Sequence, residues 1–219
     1  MKKIGVVLGG CGVMDGAEIH ESVFTLLAID RAGAKAVCLA PNVPQMHVVN
    51  HATGQEATGE RRNVLEESAR IARGEIKDLK TVKAADLDAL VFPGGYGAAK
   101  NLCDFAVKGG DCTVQPEVAR LVKEMRAAGK PMGFICIAPA IAAKVLGVEH
   151  HVQVTIGTDA GTAQKLVGMG ARHVSCAVSE IAVDQANKVV TTAAYMLAQR
   201  ISEVADGIDK LIKKLVEMA

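Results

Sequence analysis

Pro131-Met132-Gly133-Phe134-Ile135-Cys136-Ile137-Ala138-Pro139-Ala140 compresses an apolar strand, a sharp corner holding a cysteine and the start of a helix into one short stretch. Met132 to Ile135 is an apolar run entered through Lys130-Pro131, the pattern of a parallel strand covered on both faces. Ala140 to Leu146 carries helix formers and stops at Gly147, so the chain must turn within a residue or two of Cys136. That is the geometry of a nucleophile elbow. A free thiol titrates near about 8.5, and the positive end of a helix dipole, worth about 1 to 2 kcal/mol when partly buried, would lower this by about one pH unit. Cys136 is therefore expected as a reactive thiolate, set against the plainer reading of a cysteine that merely packs at the end of a strand.

Outward from the elbow, the chain alternates strands with helices. Lys3 to Leu8, Ala34 to Ala40 and Leu87 to Phe92 read as buried strands, and Pro116 to Ala128 as a helix closed by Gly129. This predicts an α/β, flavodoxin-like doubly wound, mostly parallel sheet with helices on both faces. Glu180 to Asp184 and Lys188 to Thr192, turned at Gln185-Ala186-Asn187, supply a small antiparallel addition. Neither repeats nor a linker interrupt the pattern, so residues 1–219 are expected to form a single domain. The first helix is expected to open at Asp15 as N-cap, with Glu18 completing a capping box and Ile19, Val23, Leu26, Leu27 and Ile29 facing inward. Arg61 to Arg73 reads as a second helix with Val64, Leu65, Ala69 and Ile71 inward, and Leu197 to Leu215 as a C-terminal one with an apolar stripe. The irregular segment 41–59 reads as a small hairpin or lid.

Composition removes several function classes. With 25 basic and 24 acidic residues the formal charge is +1, and aromatic side chains are scarce, so there is neither a field nor a stacking platform for nucleic acid. No segment approaches the about 20 apolar residues needed to span a bilayer, so no membrane role is expected. Met1 to Cys11 has the outline of a short signal peptide, but Asp15 and Glu18 follow at once and a first strand accounts for it. The six cysteines include no Cys-x-x-Cys pair, which fits reduced thiols in a cytoplasmic protein. The glycine loop Gly9-Gly10-Cys11-Gly12 fails as a dinucleotide fingerprint, because Asp15 stands at the third glycine position. His47 and His51 lie four apart without a helix to align them, and no metal site is expected.

Two further motifs stand at the carboxyl ends of strands, where sites gather in open parallel sheets. Asp15-Gly16-Ala17-Glu18-Ile19-His20-Glu21 follows the first strand, and Pro93-Gly94-Gly95-Tyr96-Gly97-Ala98-Ala99-Lys100-Asn101-Leu102 brings glycines whose N–H groups suit a developing oxyanion. Each alone is modest. With the elbow, in this order and spacing, they resemble the class I glutamine-amidotransferase-like superfamily, in its branch of Parkinsonism-associated deglycases and intracellular proteases, over nearly the whole chain.

The resemblance implies Cys136 as nucleophile and Glu21 as the carboxyl group beside it, with Glu18 as the second candidate one helical turn away. It also implies an oxyanion pocket from Gly95, Gly94 and the backbone N–H of Ile137. Two departures matter. The late His-x-Glu pair of the amidotransferases is absent and the residue after Cys136 is Ile rather than His, which speaks against glutamine hydrolysis and proteolysis. The resemblance is nearest to glyoxalases linked to isoprenoid biosynthesis, and implies a cofactor-free, glutathione-independent glyoxalase. Such an enzyme converts glyoxal or methylglyoxal to glycolate or lactate through a Cys136 hemithioacetal, with deglycase activity following from adducts in equilibrium with free aldehyde. The competing expectation is a redox-sensing or regulatory module using the same thiol. A homodimer is implied by the superfamily alone.

Overall fold

In the computed structural model, which describes residues 1–219, β1 (Lys3–Val7) pairs in parallel with β2 (Lys35–Ala40) on one side and β6 (Ala89–Phe92) on the other. Short β5 (Ile76–Asp78) borders β2, while β7 (Met132–Ile135) and β11 (Val189–Thr192) continue the parallel sheet beyond β6. Only β10 (Ile181–Asp184) runs antiparallel, closing the far edge against β11. Leaving aside the edge strand β5, the order β2-β1-β6-β7-β11 is the flavodoxin-like doubly wound arrangement that the strand and helix alternation predicts. Outside the sheet, β3 (Val49–Asn50) and β4 (Gln55–Glu56) make a hairpin, and β8 (Gln153–Val154) and β9 (Arg172–His173) a parallel ribbon.

Both faces of the sheet are covered, which is why its central strands carry apolar side chains at successive positions. On one face α1 (Ile19–Arg31), α2 (Val64–Ile71) and α8 (Ile201–Met218) bury Ile29, Ile208 and Leu211 against Ile4 and Val6. On the other, α3 (Tyr96–Lys100), α4 (Phe105–Lys108), α5 (Pro116–Ala127), α6 (Pro139–His150) and α7 (Ala160–Gly168) pack over Phe92 and Phe134. Those two rings stack with centroids 4.8 Å apart, a rare aromatic pair in an otherwise aliphatic core. The C-terminal helix buries Val204, Ile208, Leu211, Ile212 and Leu215, as its spacing predicts; Leu197 precedes it and Ile201 is exposed. No helix is long and apolar enough to cross a membrane.

The first helix differs from expectation in both start and face. It begins at Ile19 with Glu18 as its cap, because Gly16 turns back to hydrogen-bond Gly12 and Asp15 is drawn to the hairpin, where Val49 N–H donates to Oδ2 at 2.7 Å. Its buried face is Glu21, Ser22, Thr25, Ala28 and Ile29, while Ile19, Val23 and Leu27 are exposed. Polar burial is tolerated there because Ser22 and Thr25 donate their hydroxyls to the Glu18 and Glu21 carbonyls at 2.6 and 2.7 Å. The same happens in α2, which starts at Val64 under the Asn63 cap and buries Glu67 and Ser68 beside Val64. Ser68 Oγ accepts the Gly10 N–H at 2.9 Å and thereby tethers the glycine loop.

Candidate functional site

Four strand ends meet at the carboxyl edge of the sheet where the winding reverses between β1 and β6. β7 runs out at Ile135, whose register partner is Thr192, and the Cys136 N–H donates to the Thr192 carbonyl at 2.9 Å. Cys136 then takes φ +60°, and Pro139 opens α6. A side chain in the left-handed region costs about 1 to 2 kcal/mol and persists only where its surroundings over-determine it. The predicted elbow is thus present as a backbone outlier. Cys136 is buried yet lines a cavity of about 430 Å³ together with Glu18, Gly95, Tyr96, Ile137 and Tyr195.

The second component arrives from α1. Glu21, completely buried, accepts the Gly94 N–H at Oε2 (2.8 Å) and the Tyr195 N–H at Oε1 (3.3 Å), and its carboxyl neighbours the Cys136 thiol closely enough for the two to shift each other's titration. Glu18 stands one turn away, where its Oε2 accepts the Glu21 N–H at 2.7 Å. The helix entry therefore sets both carboxyls, with Glu21 on the sulfur and Glu18 capping and lining the cavity.

Glycines make this approach feasible. Gly94 would, with a Cβ, overlap the Cβ of Cys136 and come within 2.7 Å of Glu21 Oε2. Gly95 has φ +85°, and its N–H, like that of Ile137, is near enough to the Cys136 sulfur to favour the thiolate. The expected oxyanion set needs one correction: the Gly94 N–H is already taken by Glu21, which leaves Gly95 and Ile137 as the donors facing the thiol.

The electrostatics overturn the expectation of a depressed thiol. Burial, then the Glu21 carboxylate, push Cys136 well above its ordinary value, and the Gly95 and Ile137 N–H groups oppose this only in part. Burial, then the charge of Glu18, push Glu21 up to about 7 against the pull of the Gly94 and Tyr195 N–H groups. The helix dipole is outweighed by desolvation and a like charge. Near neutrality the pair holds about half a proton more than two isolated acids would, and a thiolate forms there when Glu21 carries the proton.

One residue of the cavity wall was not singled out in the sequence. Tyr195, placed after β11, lines the cavity, and its hydroxyl lies 2.7 Å from His20 Nδ1. The signal was available: the chain has only two tyrosines, Tyr96 and Tyr195, and both line this cavity. Asn101 donates to the Gly9 and Asp15 carbonyls at 2.7 and 2.8 Å and accepts the Met46 N–H at 2.9 Å, joining three loops. His51 Nε2 accepts the Met14 N–H at 3.1 Å while its Nδ1 faces the Val49 carbonyl at 3.0 Å. Segment 41–59 therefore straps the glycine loop and contributes no wall to the cavity, so it is a buttress rather than a lid. Nowhere do three or more His, Cys, Asp or Glu side chains converge as a metal site requires, and all six cysteines are free thiols.

No family model matches the chain. It is 50% identical to glutamine amidotransferase-like class 1 domain-containing protein 3, mitochondrial, of Homo sapiens, over 99% of this chain and 83% of that protein. It is 48% identical to the ES1 protein homolog, mitochondrial, of Rattus norvegicus, over 99% of this chain and 84% of that one. Among solved structures, an isoprenoid biosynthesis protein with amidotransferase-like domain from Ehrlichia chaffeensis superposes with a TM-score of 0.91 at 37% identity, covering 99% of this chain and all (100%) of that one. Drosophila melanogaster DJ-1beta, at 19% identity and a TM-score of 0.57 over 100% of this chain and 95% of its own, shares the fold. The curated relatives carry mitochondrial names, which overturns the cytoplasmic expectation. Its basis was weak, since free thiols persist in any reducing compartment.

Proposed function

Since the chain belongs to the class I glutamine amidotransferase-like family, we propose that it is a cofactor-independent glyoxalase converting small dicarbonyls, glyoxal or methylglyoxal, to hydroxy acids. The observation that supports this reading is Cys136 in the wall of a cavity large enough for such a molecule, with the Glu21 carboxyl buried beside the thiol. The Cys136 thiolate adds to the aldehyde carbon, the Gly95 and Ile137 N–H groups receive the oxyanion, and the proton held by Glu21 passes to it, which makes the hemithioacetal hydroxyl and leaves Glu21 as a carboxylate. Glu21 then takes the hydrogen on that carbon as a proton and returns it to the neighbouring carbon, so that one carbon is oxidised and the other reduced. The product is a thioester, and water cleaves its S–C bond to release the hydroxy acid and regenerate the thiol. Glu21, titrating at about 7, is suited to both taking and giving a proton at neutral pH. Purified protein incubated with methylglyoxal should form lactate, and Cys136→Ala should abolish this while the fold persists; equal lactate from both proteins would end the proposal.

A homodimer belongs to the same proposal. The exposed Ile19, Val23 and Leu27 recur every fourth residue on one side of α1, which gives a second copy an apolar stripe to cover.

A further inference from the structure

A dicarbonyl has two oxygens, and the groups so far assigned hold only one of them. The N–H groups of Gly95 and Ile137 serve the oxygen on the carbon that Cys136 attacks. The oxygen on the neighbouring carbon must also gain a proton when the hydrogen is moved, since an enediol cannot form while that oxygen keeps its double bond.

One residue with a hydroxyl lines the same cavity as the thiol and is tied to Glu21. Tyr195 follows Thr192, the carbonyl of which holds the Cys136 N–H, and it lines the same cavity as the thiol. Its own N–H is bound to Glu21 Oε1 at 3.3 Å, so the phenol and the carboxyl are positioned by a single backbone link. Ala194, just before it, has φ +42°, an unfavourable conformation for a residue with a Cβ, and this kink turns the chain from the strand into the cavity wall. The phenol is not idle at the surface: its oxygen lies 2.7 Å from Nδ1 of His20, whose ring tilts against it at 5.9 Å between centroids. His20 is exposed to water and neighbours Glu21 in sequence, so it can exchange a proton with solvent and pass it to the phenol oxygen.

We propose that Tyr195 is a second acid and base of the site, protonating the oxygen on the non-attacked carbon, with His20 as the residue that positions and resupplies it. This rests on the glyoxalase reading. As Glu21 removes the hydrogen from the sulfur-bearing carbon, the electron pair forms the carbon–carbon double bond, the carbonyl pair moves to the distal oxygen, and the Tyr195 proton goes to that oxygen. In the return step the phenolate takes the proton of the hydroxyl on the sulfur-bearing carbon. The thioester carbonyl forms there, and the double-bond pair takes the Glu21 proton at the distal carbon. Protons and electrons balance with no outside oxidant. Burial and the nearby Glu18 and Glu21 charges push the phenol above its ordinary value, which keeps it a donor at neutral pH. The arrangement predicts a preference for dicarbonyls over simple aldehydes, which form the hemithioacetal but carry no second oxygen.

The test uses the full chain with Tyr195→Phe and His20→Ala, the latter at an exposed position where folding is undisturbed. Misplacing one acid or base costs about 100-fold or more in rate. Tyr195→Phe should lose kcat for methylglyoxal on that scale with KM little changed, should alkylate Cys136 at the wild-type rate, and should accumulate the hemithioacetal seen as an intact-mass adduct. His20→Ala should lose a smaller part of kcat. A working wild type with unimpaired kcat in both variants overturns the inference and leaves the glyoxalase reading standing. Absence of turnover of any dicarbonyl by wild type overturns both.

Discussion

Glu21 and Cys136 meet across Gly94: a methyl group at that position would overlap the Cys136 Cβ and come within 2.7 Å of the Glu21 carboxylate oxygen that the same glycine's N–H holds. Gly94→Ala is therefore expected to part the thiol from the carboxyl. Overpacking of this kind costs about 1 to 3 kcal/mol, and loss of the thiol to carboxyl contact should lower kcat/KM for a dicarbonyl by more than about tenfold. Steady-state kinetics beside a melting curve checks it; wild-type kcat/KM would mean that the two groups need not touch.

Glu21 titrates at about 7 in the folded chain against 4.5 for an ordinary glutamate. A raised folded value makes its stabilising contribution complete below the unfolded value and lost as pH rises through the folded one. The displacement is worth on the order of 3 kcal/mol. Relative to wild type, Glu21→Gln should therefore gain stability between pH 4.5 and 8. Any constant penalty from the amide facing the Gly94 or Tyr195 N–H leaves that slope unchanged. Urea unfolding at several pH values measures it, and parallel curves for the two proteins would contradict the burial argument.

The same substitution separates reactivity from catalysis. Removing the Glu21 charge removes a cause of the raised Cys136 thiol, so Glu21→Gln should alkylate faster than wild type at mildly alkaline pH. Turnover should nevertheless fall by about 100-fold or more, because the amide cannot move the proton. Iodoacetamide rates across pH, read on Cys136 by mass, check the first half. Slower alkylation would show that Glu21 activates the sulfur rather than restraining it.

Much of this site was legible in residues whose chemistry is local. The elbow followed from an apolar strand breaking at Cys136 before helix formers, and the sheet from the alternation of strands and helices. What was not legible depended on partners far along the chain. Apolar spacing placed Ile19, Val23 and Leu27 inside, yet α1 is rotated to bury Glu21, whose acceptor bonds come from Gly94 and Tyr195. The thiol's direction of titration failed for the same reason. A helix dipole can be read from a neighbouring segment, whereas the desolvation and the charge that outweigh it are brought by other strands.

The outward rotation of α1 leads to the last expectation. Ile19, Val23 and Leu27 are 43%, 47% and 39% exposed, and they lie beside the half-buried Phe24 on a helix whose other side packs on α8. Apolar side chains at every fourth position of an otherwise well-packed helix gain about 25 cal/mol per Å² when a partner covers them. A second copy pairing through a two-fold axis would cover the same stripe on both chains. Val23→Glu should place two like charges against each other across that axis and leave the monomer's core untouched. The wild type should then elute and scatter light as a dimer and the variant as a monomer with an unchanged melting profile at low concentration. A wild type that remains monomeric at high concentration, or a variant that remains dimeric, would assign the stripe no part in self-association.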